Sequence, residues 1–148
     1  WRWTVDRTSG KVREEQLDDL PVEFPRVDER VVGRRHRFGF AASFADATAT
    51  DLGWDDTGLV RYDSLTGVRT RISFGPGRSC GEAVFVPRST DSAEDDGWYL
   101  TLVHDRATDL SELVVLDASA PDQGPVATVH LPTRVPLGFH GNWVPTGT

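Results

Sequence analysis

A single cysteine, Cys80, is all the thiol chemistry this chain carries. It excludes an intramolecular disulfide framework and a thiolate zinc site, and leaves Cys80 as a small residue packed near a loop. Methionine is missing altogether, including at position 1, which leads to the expectation of a fragment or a processed piece. Long apolar runs are also missing. None approaches the roughly 20 residues that cross a bilayer, and no basic-then-apolar leader opens the chain. The expectation is a soluble, cytoplasmic protein, with contact between a shallow apolar patch and a membrane surface left open. Positive charge is scarce: 16 Lys plus Arg stand against 23 Asp plus Glu, for a net charge of -7. The basic residues are scattered rather than gathered in a stripe, which argues against nucleic acid as a partner. Finally, no window of a dozen residues keeps a helical apolar period free of Gly and Pro, so helices are not expected.

What the chain does have is strands. WRWTVD (1–6), RFGFAASF (37–44), GLVRYD (58–63), VRTRISF (68–74), AVFVPR (83–88), WYLTLVHD (98–105), ELVVLDA (112–118) and VATVHL (126–131) are short, rich in β-branched or aromatic residues, and bounded by turn formers. GRRHRFGF (33–40) reads as a strand with one solvated basic face, and RSTDSAEDDG (88–97) as a solvated acidic loop without the ligand spacing of a calcium site. The 148 residues, 38% of them hydrophobic, suffice for a packed core.

A weak repeat organises these strands. WTVDRTSGKV, VRYDSLTGVR and VVLDASAPDQGPV each read as strand, Asp, a short turn ending in Gly, then strand. The Asp bonds the turn backbone, and Gly supplies the positive φ of a tight hairpin. Asp6, Asp63 and Asp117 therefore recur with a period of roughly 55 residues and about four strands per period, the pattern of propeller blades. The chain holds two to three blades. Because a blade buries both faces only between neighbours, it is expected to be part of a larger ring.

Few motifs carry chemistry. GRSCG (77–81) fits the G-x-S-x-G nucleophile elbow, but the residues after Ser79 read as a strand rather than the helix an elbow needs. His36 falls in the basic strand, and His104 and His130 near strand ends; all three read as structural or surface residues. No H-x-H, H-x-x-H or H-E-x-x-H spacing occurs, so any metal must be held by residues from distant strands. His140 is set differently, in VPLGFHG, where Gly138 and Gly141 leave the backbone room for close approach. It reads either as a turn histidine or as a ligand. Glu23 in PVEFPR and Glu82 in CGEAVFVPR stand before apolar residues, where a buried carboxylate needs a partner. A metal-bound histidine commonly gives its second N–H to such a carboxylate. Each glutamate also reads as an ordinary acid at a strand end.

LPVEFPRVDERVVGRRHRFGF, CGEAVFVPR, EDDGWYLTLVHD, SELVVLDA and VHLPTRVPLGFHGNW, in this order, closely resemble the C-terminal region of the carotenoid cleavage oxygenases. That family includes apocarotenoid- and stilbene-cleaving dioxygenases and the vertebrate retinoid isomerase, and the resemblance runs from Trp3 to Trp143. It implies an all-β fold, the C-terminal two to three blades of a seven-bladed β-propeller, with the N-terminal blades outside this chain. It also implies an Fe(2+) ion on the propeller axis, held by four histidines, three of them oriented by glutamates. By resemblance His140 matches the last metal ligand, and Glu23 and Glu82 match two of the orienting glutamates. His36, His104 and His130 match none of these positions.

The implied reaction is non-haem iron dioxygenase chemistry: O2 cleaves a conjugated carbon–carbon double bond of an apolar polyene or stilbene to give two carbonyl products. With one ligand histidine, the chain by itself is expected to be inactive and to hold no stoichiometric iron. The ligand reading also requires the His140 imidazole to lie where the blades converge and out of bulk solvent. Two other readings stay open: a metal-free binding propeller, in which His140 is packed, and a propeller glycoside hydrolase using Glu23 and Glu82 at a separation of roughly 5 to 9.5 Å.

Overall fold

The computed structural model describes residues 1–44, 57–136 and 138–146. Ten strands are found among them: β1 (Arg2–Val5), β2 (Val12–Glu15), β3 (Val22–Val27), β4 (Phe38–Ser43), β5 (Gly58–Asp63), β6 (Arg69–Ile72), β7 (Arg78–Pro87), β8 (Gly97–Asp105), β9 (Leu110–Asp117) and β10 (Pro125–His130). They form a β1–β2 hairpin and two four-stranded antiparallel meanders, β3-β4-β5-β6 and β7-β8-β9-β10.

The aspartate repeat is the chemistry of one particular corner. Asp6 Oδ1 accepts Thr8 N–H at 2.9 Å and the Asp6 carbonyl accepts Gly10 N–H at 2.8 Å. Asp63 repeats this with Leu65 and Gly67 at 2.9 and 2.8 Å. Gly10 and Gly67 close the two turns at φ 69 and 73, left-handed backbone that glycine adopts without strain. Asp117 bonds Ser119 N–H in the same way, but a 3-10 turn at Pro121–Gln123 delays the closing Gly124. In both meanders this corner joins the third strand to the fourth. The β1–β2 hairpin, carrying the same corner, thus matches the outer half of a blade, and the two meanders are two whole blades.

The two meanders pack face to face. Their shared core joins Phe40, Leu59 and Ile72 of the first to Cys80, Ala83, Phe85, Tyr99, Val103, Val114 and Leu116 of the second. The Tyr99 ring lies 4.5 Å from Phe40 and 5.9 Å from Phe85, centroid to centroid. Alternation along β8 sends Tyr99, Thr101 and Val103 into this core and leaves Leu100 and Leu102 on the opposite face. Gly97 is required where β8 begins, because a Cβ there would collide with the Val86 carbonyl. Cys80 is buried, its thiol pushed up to about 12 by burial, and Thr57 brackets its backbone at 2.7 and 2.9 Å. It is a packed residue.

Three sequence expectations change. His36 is not in a strand: β4 starts at Phe38, and the basic stretch before it is turn and loop, with His36 Nδ1 3.3 Å from the Arg34 carbonyl. Residues 88–97 are not simply a solvated loop. The Glu94 carboxylate accepts Arg37 N–H at 2.8 Å and Phe38 N–H at 3.3 Å, while Arg30 donates to the Ser89 and Thr90 carbonyls at 3.0 Å. The acidic loop therefore fastens the second meander to the first. The third change is β3, an edge strand that holds Pro25 and escaped the sequence reading, since an edge position tolerates the missing N–H.

Candidate functional site

The first strands of the two meanders, β3 and β7, carry the two glutamates, and both are broken at the glutamate. The β3–β4 register slips by one residue between Glu23 and Arg26, and the β7–β8 register slips likewise between Cys80 and Ala83. Such bulges re-aim side chains. In β3 the bulge holds Phe24 at φ 55, a left-handed value that costs a non-glycine residue energy. β7 runs from Arg78 to Pro87 with Ser79 inside it, so the nucleophile-elbow geometry is absent.

At the β7 bulge the Glu82 side chain is 5% exposed and fully bonded. Its Oε1 lies 3.1 Å from His140 Nδ1. Its Oε2 accepts Gly141 N–H at 2.9 Å and pairs with Arg26 Nη1 at 3.0 Å. Burial alone would raise the Glu82 pKa. The bonds from Gly141, His140 and Arg26 outweigh it and hold the group below the ordinary carboxylate value. An ionised carboxylate only accepts, so the proton shared with His140 is assigned to Nδ1. Nε2 then carries the free lone pair when the ring is neutral.

The His140 ring also meets the Phe24 ring edge-on, at 5.8 Å and 89°. It therefore sits where β3 and β7 come together. Its side chain is nevertheless 74% exposed, so it does not meet the expectation of an imidazole shielded from solvent. Beside it opens a cleft of about 340 Å³ whose walls include Val84, Leu100, Leu102, Leu113 and Phe139. This is the face of the second meander turned away from the core.

Glu23 is placed differently. Its side chain is exposed and makes no hydrogen bond or ion pair with any described residue. The other three histidines are engaged elsewhere: His36 as above, His104 Nε2 with Asp109 at 3.0 Å, and His130 Nδ1 with Glu112 at 2.8 Å. Among the described residues, no group of three or more His, Cys, Asp or Glu is placed to hold a metal ion. Nor is any helix among them long and apolar enough to cross a membrane. The donor set thus fits one ligand with its orienting carboxylate, and no more. Arg26, Glu29 and Asn142, which complete the Glu82 neighbourhood, escaped the sequence reading.

The family model described as retinal pigment epithelial membrane protein matches residues 1–145. The carotenoid cleavage oxygenase of Mycobacterium tuberculosis (strain ATCC 25618 / H37Rv) is 42% identical over 146 residues, 98% of this chain and 29% of the relative. Lignostilbene-alpha,beta-dioxygenase isozyme III of Sphingomonas paucimobilis is 39% identical over 153 residues, 96% of this chain and 31% of the relative. Among solved structures, cobalt-substituted Synechocystis apocarotenoid oxygenase superposes with a TM-score of 0.88 at 33% identity, covering 99% of this chain and 30% of that one. The chain thus spans about 30% of the length of the relatives it matches.

Proposed function

This chain belongs to the retinal pigment epithelial membrane protein family, and from that premise we propose that the gene's whole product is an oxygenase of the carotenoid-cleaving type. Relatives named as carotenoid cleavage oxygenase and lignostilbene dioxygenase support this reading. The substrate is an apolar molecule with a conjugated double bond, a carotenoid, apocarotenoid or stilbene, and both atoms of O2 enter the cleaved bond to give two carbonyl products. The observation that carries the proposal is the pairing of His140 Nδ1 with the buried, ionised Glu82, which leaves Nε2 available.

In this reading His140 is one ligand of an Fe(2+) ion, and the exposed side of its ring is the side that the rest of the whole gene product would cover, since this chain spans only 29% of its relative. When bound, the ion supplies dioxygen activation, for which neutral imidazoles that leave positions open are suited. The chain's own residues supply rigidity and shape. Glu82 holds the Nδ1 proton and so fixes the tautomer and the direction of Nε2. Phe24, strained at its bulge, braces the ring from the side. The apolar cleft wall of Leu100, Leu102 and Phe139 offers a polyene an apolar surface beside His140. Glu23, exposed and unbonded here, is assigned the same orienting role toward a ligand histidine outside this chain.

A glycosidase reading could not take Glu82 as its general acid. Glu82 is held ionised by three donors, whereas a general acid needs a raised pKa.

Metal analysis of the whole gene product against His140→Ala, with thermal unfolding as the fold control, tests the proposal. The expected result is about one iron per chain, falling at least tenfold in the variant. No iron in the parent, with His140→Ala altering only stability, would instead make this a metal-free binding propeller, and parent-level iron in the variant would remove His140 from the ligand set.

A further inference from the structure

The bulge in β3 delivers Arg26 to a place where it touches both Glu82 and the backbone that follows His140. Its side chain is 17% exposed. Nη1 pairs with Glu82 Oε2 at 3.0 Å and donates to the Gly141 carbonyl, also at 3.0 Å. Nη2 donates to Asn142 Oδ1 at 3.4 Å and to Glu29 Oε1. Glu29 closes the circle by accepting from Asn142 Nδ2 at 3.2 Å. The peptide of Gly141 is therefore held at both ends, its N–H by Glu82 from the second meander and its carbonyl by Arg26 from the first.

We propose that Arg26 is a positioning residue for His140: it locks Glu82 and the Gly141–Asn142 backbone together, so that the direction of the imidazole is set jointly by both meanders. This rests on the reading of His140 as a metal ligand. Glu82 alone holds one ring nitrogen and the Gly141 N–H, and leaves the Gly141 carbonyl, Asn142 Oδ1 and its own second oxygen without a partner from the first meander. Arg26 supplies all three, by holding the Gly141 carbonyl, the Asn142 side chain and the Glu82 carboxylate from the side of the first meander. The task suits a guanidinium in particular. Its planar fork donates to a carboxylate, a carbonyl and an amide oxygen at once, whereas an ammonium is a compact charge on a flexible stem. Arg26 stands outside the ligand set and acts through Glu82 and Gly141.

The test uses the whole gene product, stripped of metal and titrated with Co(2+) alone, whose visible absorption reports ligand geometry. Arg26→Ala is expected to weaken Co(2+) binding by about tenfold, as loss of a partner outside the ligand set does. It should also shift the absorption bands at saturating metal and speed hydrogen exchange at the Gly141 amide. Arg26→Lys should recover part of the affinity. If Arg26→Ala fails to fold, Arg26→Gln, still a donor but too short to reach the partners of the guanidinium, carries the same three measurements. Co(2+) affinity within twofold of the parent and an unchanged saturated spectrum, in whichever variant folds, would overturn the inference. His140→Ala separates the two layers. If it abolishes Co(2+) binding while Arg26 variants do not disturb it, only the role of Arg26 fails. If His140→Ala binds Co(2+) as the parent does, the underlying ligand reading fails with it.

Discussion

Glu23 and Glu82 look alike in the sequence and occupy matching places in the fold, each at a one-residue bulge in the first strand of its meander. Their surroundings are opposite. Glu82 is buried under three donors, while Glu23 is exposed with no partner among the described residues. The strand and its bulge provide the aim, and the partner provides the state. His140 and Gly141 reach Glu82 from far along the chain, and no described segment does the same for Glu23. A carboxylate before an apolar run is therefore a position awaiting a partner, and burial follows only when the partner arrives.

The comparison is broken most forcefully at Glu82. Glu82→Ala leaves Arg26 with Glu29 as its counter-ion and frees His140 and Gly141 together. Losing the buried acceptor of three donors costs about 2 kcal/mol or more. Urea unfolding of the whole gene product should show that loss, and its metal affinity should fall by about 10- to 100-fold. A loss below about 1 kcal/mol would mean that Glu82 is far less committed to its three donors than their 2.9 to 3.1 Å distances imply.

A milder probe of the same site is acid. Because the folded-state pKa of Glu82 lies below its ordinary 4.5, its contribution to stability is fully present above that ordinary value. It is lost as pH falls through the folded value, where the carboxylate takes up a proton and the bonds from Gly141 and Arg26 weaken. Asp18, held down by Arg69 and Tyr62 against the opposing effect of burial, adds to the same acid loss. Unfolding free energy measured from neutral pH down to about pH 3 should therefore decline below about 4.5 in the parent and decline less steeply in Glu82→Gln. Identical slopes would remove Glu82 from the acid response.

Much of this arrangement was legible because it is local. The strands show in alternation and turn chemistry, and the aspartate corners recur because Asp6 and Asp63 make the same two bonds within five residues. His140 and Glu82 each stood out by their local setting, but that the one meets the other was not legible, since 58 residues separate them. β3 was hidden because a strand with a proline, a left-handed Phe24 and two charges satisfies no period-2 pattern. The docking of Glu94 was hidden too, for in composition an acidic loop that caps backbone N–H groups is the same as one that faces water. Arg26 shows the limit most clearly: its carbonyl partner lies 115 residues away, and nothing near it in the chain announces the contact.

The smallest expected effect sharpens the comparison from the other side. Glu23→Gln removes a charge from an exposed side chain that bonds no described residue, so its effect on unfolding free energy should stay within about 0.5 kcal/mol. If Glu23 nonetheless orients a ligand histidine outside this chain, the same substitution should weaken metal binding by about tenfold. The two measurements then diverge, with stability held and metal lost, a signature that Glu82→Ala cannot give because it loses both. Unchanged metal affinity in Glu23→Gln would leave Glu23 an ordinary acid at a strand bulge. In that case the likeness between the two strands would lie in their backbones and stop short of their chemistry.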